Sequence, residues 1–132
     1  MNLTIERIPV SVILPKKTKK DEVFYLNLNV YRNAHYIKLN KAKQIFSDSM
    51  RPHLAGLTIN PPFIIRYYLV TGTRREVDVA NVCSVVDKFF SDALVNHGCI
   101  PDDNYKYLKG VSFEYAGYEK GKSYVTVEII EL

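Results

Sequence analysis

Apolar and polar residues alternate from Leu3 to Leu14, with Ile8, Val10, Val12 and Leu14 on one side, and this period of two predicts a strand ended by Pro15. The run Lys16-Lys17-Thr18-Lys19-Lys20 cannot pack and reads as a polar loop. Phe24–Tyr31 mixes both types and reads as a short strand or an irregular stretch. From about Tyr36 to Met50 the spacing turns helical: Leu39, Ala42, Ile45, Phe46 and Met50 share a face, Lys38, Lys41 and Lys43 lie off it, and Arg51-Pro52 closes the helix. Pro62–Val70, rich in β-branched and aromatic residues, reads as a central strand. A basic connection, Thr71-Gly72-Thr73-Arg74-Arg75, leads to a second helix from about Val79 to Asn96, with Gly98 as a natural stop. Tyr105–Tyr115 and Ser123–Ile130 read as strands, and the link Gly117–Lys122 with its two glycines predicts an antiparallel hairpin. The order predicts one α+β domain over residues 1–132, a mixed sheet with two main helices and a C-terminal antiparallel hairpin.

Composition narrows the class. The 132 residues are 47% apolar and 24% charged, as in ordinary globular domains, which excludes a disordered or collagen-like chain. The longest apolar stretches, Ile8–Leu14 and Pro61–Val70, are broken by Ser11 and Arg66 and fall short of the roughly 20 residues a spanning helix needs. Glu6 and Arg7 stand where a signal peptide would be apolar, so the expectation is a cytoplasmic protein with no membrane partner. Cys83 and Cys99 have no CxxC partner, and His97 beside Cys99 is an isolated pair, so they read as reduced thiols. Residues 1–76 carry 13 Lys and Arg against 5 Asp and Glu, whereas residues 77–132 carry 5 against 9. A basic half beside an acidic half suits a protein that holds a polyanion and also binds a cation, and equally a sorted solvated surface.

The second helix concentrates the candidate chemistry. At about 100° per residue, Val82, Val86, Phe89 and Ala93, with Cys83, Phe90 and Leu94, form a broad buried face. Asp78, Asn81, Ser84, Lys88 and Asp92 form a polar ridge opposite, with Asp87 to the side. Gly98–Asn104 can turn back toward that ridge, bringing Asp102 and Asp103 to it. Carboxylates from helix start and loop could then meet around Mg²⁺, or Mn²⁺ in its place, hard ions that suit oxygen ligands and phosphodiester cleavage. Each element also has a plain structural use: Asp78 as an N-cap, Lys88 and Asp92 as an i,i+4 pair, Asp102-Asp103-Asn104 as a turn.

Asp78, Asn81, Lys88-x-x-x-Asp92-Ala93-Leu94, Gly98 and Asp102-Asp103 together resemble the RusA family of Holliday junction resolvases. That family has an Asp-x-Asp-Asn entry to a helix, a lysine on it, Asp-Ala-Leu four residues further, and a paired Asp after a short loop. The interval from Lys88 to Asp103 fits without a gap, and Asn27–Arg32 is similar to the family's Asn-rich, Tyr/Arg-containing N-terminal segment. Two positions depart from the pattern: Ala80 replaces the second acid, and Ser84 stands where the family often has its lysine. One inserted helical turn accounts for the shifted lysine, and Asp92, Asp87 or a Glu76–Asp78 pair could supply the missing acid. The resemblance implies a homodimeric, Mg²⁺-dependent endonuclease of bacterial or phage recombination and repair that cuts branched DNA such as four-way junctions. Asp78, Lys88 and Asp103 would be catalytic, with Asp78, Asp92, Asp102 and Asp103 on the metal. Lys16, Lys17, Lys19, Lys20, Arg32, Arg74 and Arg75 would hold DNA phosphates. The alternative, prompted by Ala80, is a non-catalytic nucleic-acid-binding protein on the same fold.

Overall fold

Arg7 divides the first predicted strand. It adopts a left-handed backbone conformation (φ 59°), and the pairing register shifts between Ile5 and Ile8. Glu6 and Arg7 therefore both face solvent while Ile5 and Ile8 are both buried, so the alternation changes phase. The single strand expected over Leu3–Leu14 is accordingly two: β1 (Asn2–Pro9) and β2 (Ser11–Leu14), in different sheets. The computed structural model describes residues 2–132.

β2 pairs antiparallel with β3 (Glu22–Tyr25), and the Lys16–Lys20 run forms the loop between them. The mixed segment after Phe24 changes structure at Asn27, whose side chain accepts the Val30 N–H at 2.9 Å and starts a short helix, α1 (Leu28–Asn33). The first main helix, α2 (Tyr36–Ser49), has its expected extent, but Pro52 does not end helical structure. It lies in the first turn of a one-turn helix, α3 (Arg51–Leu54), where its missing N–H costs nothing.

The central strand β4 (Phe63–Thr71) and the long helix α4 (Val79–Asn96) match the sequence reading closely. α4 ends in a Schellman motif: Gly98 (φ 73°) donates to Val95 O and Cys99 donates to Leu94 O. The following strand, β5 (Leu108–Tyr118), starts later than predicted because Asn104 accepts from both Tyr107 and Leu108 in a turn. β6 (Tyr124–Glu131) completes a four-stranded mixed sheet of order β1-β6-β4-β5.

The last two strands run antiparallel and are joined by a tight link, as the hairpin reading expects. They are not bonded to each other, however, because β4 lies between them, parallel to β5 and antiparallel to β6. The link crosses the end of β4, where Glu119 donates to Thr71 O and Gly121 to Gly72 O. Gly72 makes that crossing possible, since a Cβ there would stand 2.7 Å from the Lys122 backbone nitrogen.

α4 and α2 pack on one face of the structure. Phe89 of α4 lies 6.2 Å from Phe24 of β3 and edge-on to Phe46 of α2 at 5.6 Å, so one ring joins the small sheet to both helices. Tyr67 of β4 meets Phe90 of α4 edge-on from the main sheet at 6.3 Å. The polar side of α4 is flanked by α1 and α2, which leave Asn81, Ser84 and Asp92 half-buried and Lys88 exposed, and that strip carries the candidate site.

Candidate functional site

The strip begins with Asn81, whose Oδ1 accepts the Leu28 N–H at 3.2 Å and ties the start of α1 to α4. One helical turn on, the Ser84 hydroxyl donates back to Ala80 O and is not directed outward. Lys88 is exposed, and its ammonium stands 5.8 Å from the centre of the Tyr31 ring. Lys43 of α2 stands 5.9 Å from the same ring and forms a 3.0 Å ion pair with Asp92. Tyr31 thus lies beside two cations that would otherwise repel, and its ring face attracts both. Asp92 takes its partner from α2 rather than the Lys88 expected at i,i+4.

Asp102 and Asp103 join the far end of this strip. Asp102 accepts the Asp103 backbone N–H at 2.7 Å and the Asn104 amide at 2.8 Å, and these bonds hold its carboxyl below the usual range. Asp103 is pushed the other way, first by burial, then by the Asp102 carboxyl beside it and the charge of Asp92. Asp92, Asp102 and Asp103 therefore share one electrostatic neighbourhood, in which two adjacent acids have proton affinities driven apart.

Asp78 lies elsewhere. It caps α4, accepting the Ala80 N–H at 3.1 Å. Fourteen residues separate it from Asp92, about 21 Å along the helix axis at ~1.5 Å per residue. The expected convergence of Asp78 and Asp103 is absent from the single chain. Asp78 serves the helix start, and Asp103 lies with Asp92. Among the described residues no three His, Cys, Asp or Glu side chains are gathered tightly enough to form a metal cage. Mg²⁺ needs less than a cage, binding through one or two carboxylates with water and substrate phosphate completing its shell. Asp102 and Asp103, adjacent in the return loop, offer such a pair of carboxylates, whereas Asp92 is held in its ion pair with Lys43.

Asp87, one candidate for the missing acid, is committed to the interior. Its Oδ1 accepts the Tyr67 hydroxyl at 2.6 Å and the Ser91 hydroxyl at 3.1 Å, beneath the helix against β4. Burial raises its proton affinity, while these bonds and the nearby Lys88 pull it back. Glu76 belongs to the exposed loop before α4.

The basic residues occupy three places. Arg74 and Arg75 lie at the Asp78 end of α4, lining a cavity of about 290 Å³ with Thr73 and Tyr115, and Arg74 stacks on Tyr118 at 4.4 Å. Arg32 is exposed in the last turn of α1, one residue after Tyr31. Lys17, Lys19 and Lys20 are exposed at the β2–β3 loop, while Lys16 pairs with Glu22 at 3.4 Å, and Glu22 also pairs with Lys38. Sequence reasoning missed Tyr31 and Lys43 as members of the strip. Asn27, an N-cap followed by helix-compatible residues, was the local signal for α1 and hence for Tyr31. Nothing local pairs Lys43 with Asp92.

No protein-family model matches the chain, and no curated protein matches it. No helix among the described residues is long and apolar enough to cross a membrane.

Proposed function

We propose that this protein is a Mg²⁺-dependent endonuclease that acts on branched DNA, with four-way junctions as the expected substrate and two copies making paired cuts. The observation that carries this reading is the exposed Lys88 on the polar strip of α4, on the same helix as Asp92 and ahead of the Asp102–Asp103 return loop. These are the residues on which the resemblance to junction resolvases rests. Asp102 and Asp103 would hold Mg²⁺, joined by Asp92 if it exchanges Lys43 for the ion, and a bound Mg²⁺ would supply charge neutralisation at a phosphate and lower the pKa of its water. Lys88, held by Tyr31, offers its ammonium to phosphate oxygens as they gain charge. Arg74 and Arg75, in the exposed loop before α4, and Arg32, exposed at the end of α1, would grip flanking phosphates. Such a protein would work in the cytoplasm of a bacterial or phage-infected cell.

The decisive experiment compares wild type and Asp103→Asn on a labelled four-way junction with Mg²⁺. Wild type is expected to cut and the variant to bind without cutting. A second reading, a junction binder that does not cut, is favoured by Ala80 and by the distance of Asp78 from the other acids. Binding by wild type with no cleavage in Mg²⁺ or Mn²⁺ would select it.

A further inference from the structure

We infer that β5 is a self-pairing edge: its open side bonds antiparallel to β5 of a second copy, on a two-fold axis through Phe113, and joins two four-stranded sheets into one. This surface is independent of the nuclease reading, since it is read from the strand alone.

β5 ends the sheet order and pairs with β4 only. Its register against β4 slips at Lys109 and again at Ala116, leaving an uninterrupted run from Gly110 to Tyr115. Natural sheet edges are blunted by bulges, lysines, prolines or misplaced charges. The opposite edge, β1, has such features in its bulge, Arg7 and Pro9. Between its two bulges β5 has no lysine or proline, and its one charge is Glu114.

The run is also complementary to itself. Val111, Phe113 and Tyr115 pair with Ile65, Tyr67 and Leu69, so they lie on the helix-covered face, while Ser112 and Glu114 lie on the open one. Directly opposed residues of an antiparallel pair share a face, which restricts the axis to a residue rather than a gap. An axis at Phe113 sets Val111 against the second copy's Tyr115, Phe113 against itself, and Ser112 against Glu114. Val111 and Tyr115 are 42% and 55% exposed in the single chain, and each would be covered by the other. On the open face Arg66 stands next to Ser112 in the register. Glu114 of the second copy would thus come two strand spacings from Arg66, roughly 10 Å between Cα atoms, within reach of two long side chains. Glu114 has no partner among the described residues, whereas Arg66 has only a 3.9 Å contact with Glu128. The axis makes this new ion pair twice.

Sedimentation equilibrium of the full chain at micromolar concentration tests the pairing without DNA or metal, so a protein that never cuts still answers it. Wild type is expected to be a dimer. Val111→Lys should be a monomer with an unchanged circular dichroism spectrum. Arg66→Glu and Glu114→Arg should each weaken dimerisation by about tenfold or more, and together should restore it. If Val111→Lys does not fold, the charge exchange carries the test by itself. A monomeric wild type, a dimer unaffected by Val111→Lys, or a double exchange that fails to restore association would overturn the inference.

Discussion

Tyr67→Phe removes one atom from the interior, and its cost reads out the charge state of Asp87. Tyr67 is fully buried, and its hydroxyl donates to the Asp87 carboxylate at 2.6 Å. The ring itself packs edge-on against Phe90 at 6.3 Å and Phe113 at 5.8 Å, contacts that phenylalanine keeps. The loss is therefore one hydrogen bond to a charged acceptor, about 1.5–3 kcal/mol, with Ser91 left as the remaining donor. For a domain of this size ~2 kcal/mol lowers Tm by roughly 6 °C. The pH dependence is the sharper part. Burial raises Asp87 above its ordinary value in the folded state, so the folded chain holds the proton more tightly than the unfolded one. Stability from this group therefore falls as pH rises from the ordinary aspartate value through the raised one, and is level above it. Removing a donor that favours the charged carboxylate raises the folded value further, so the variant should lose more ground over that window. Urea unfolding followed by circular dichroism from about pH 4.5 to 8 would show a difference that grows with pH. A difference below about 0.5 kcal/mol at pH 7, or one equal at both ends of the range, would refute a charged Asp87 held by Tyr67.

Further outcomes concern the proposed activity. Asp103→Asn should abolish cleavage while leaving junction affinity within about twofold in a gel shift, because it removes charge and not shape; full activity would take Asp103 out of the mechanism. Lys88→Ala should lower the single-turnover rate by about 10² or more with little change in affinity, whereas a merely solvated lysine would leave the rate intact and cost well under about 1 kcal/mol of stability. Arg74→Ala combined with Arg75→Ala should flatten the dependence of log affinity on log salt by about two phosphate contacts, measured by titrating junction at several salt concentrations; an unchanged slope would place the DNA on another surface.

The long elements were legible because their patterns are local. α4 combines a continuous buried face, an N-capping Asp78 and a stop at Gly98, and the structure keeps both ends where the sequence put them. β4 was legible as a run of β-branched and aromatic residues with turn signals on both sides. Features decided by single backbone conformations or by distant partners were not. Arg7 in a left-handed conformation split one alternating run into two strands, and no residue-type preference announces that at an arginine. The link between the last two strands read correctly as a tight connection, but the sequence does not say that β4 occupies the space between them. In the candidate site the same division holds. The ridge of Asn81, Lys88 and Asp92 follows from helical spacing, whereas Lys43 reaches Asp92 only through the packing of α2 on α4. Asp78 was assigned to the same site as Asp103 because the return loop was expected to reach the helix start, and the length of α4 separates them.

The place of β6 bears on how the chain assembles during synthesis. β1 and β4 lie on either side of β6 and are not bonded to each other. β1 must therefore wait for β6 before it gains a main-chain partner, and until then Ile5 and Ile8 have no ladder. Pairings of such long sequence separation slow folding, because loop entropy is lost before contacts repay it. The β2–β3 ribbon, α2, and the β4–α4–β5 unit can form earlier from neighbouring segments. During that interval the unpaired side of β4 is open to other chains, a period in which a chaperone or slow translation over Tyr124–Glu131 would govern yield.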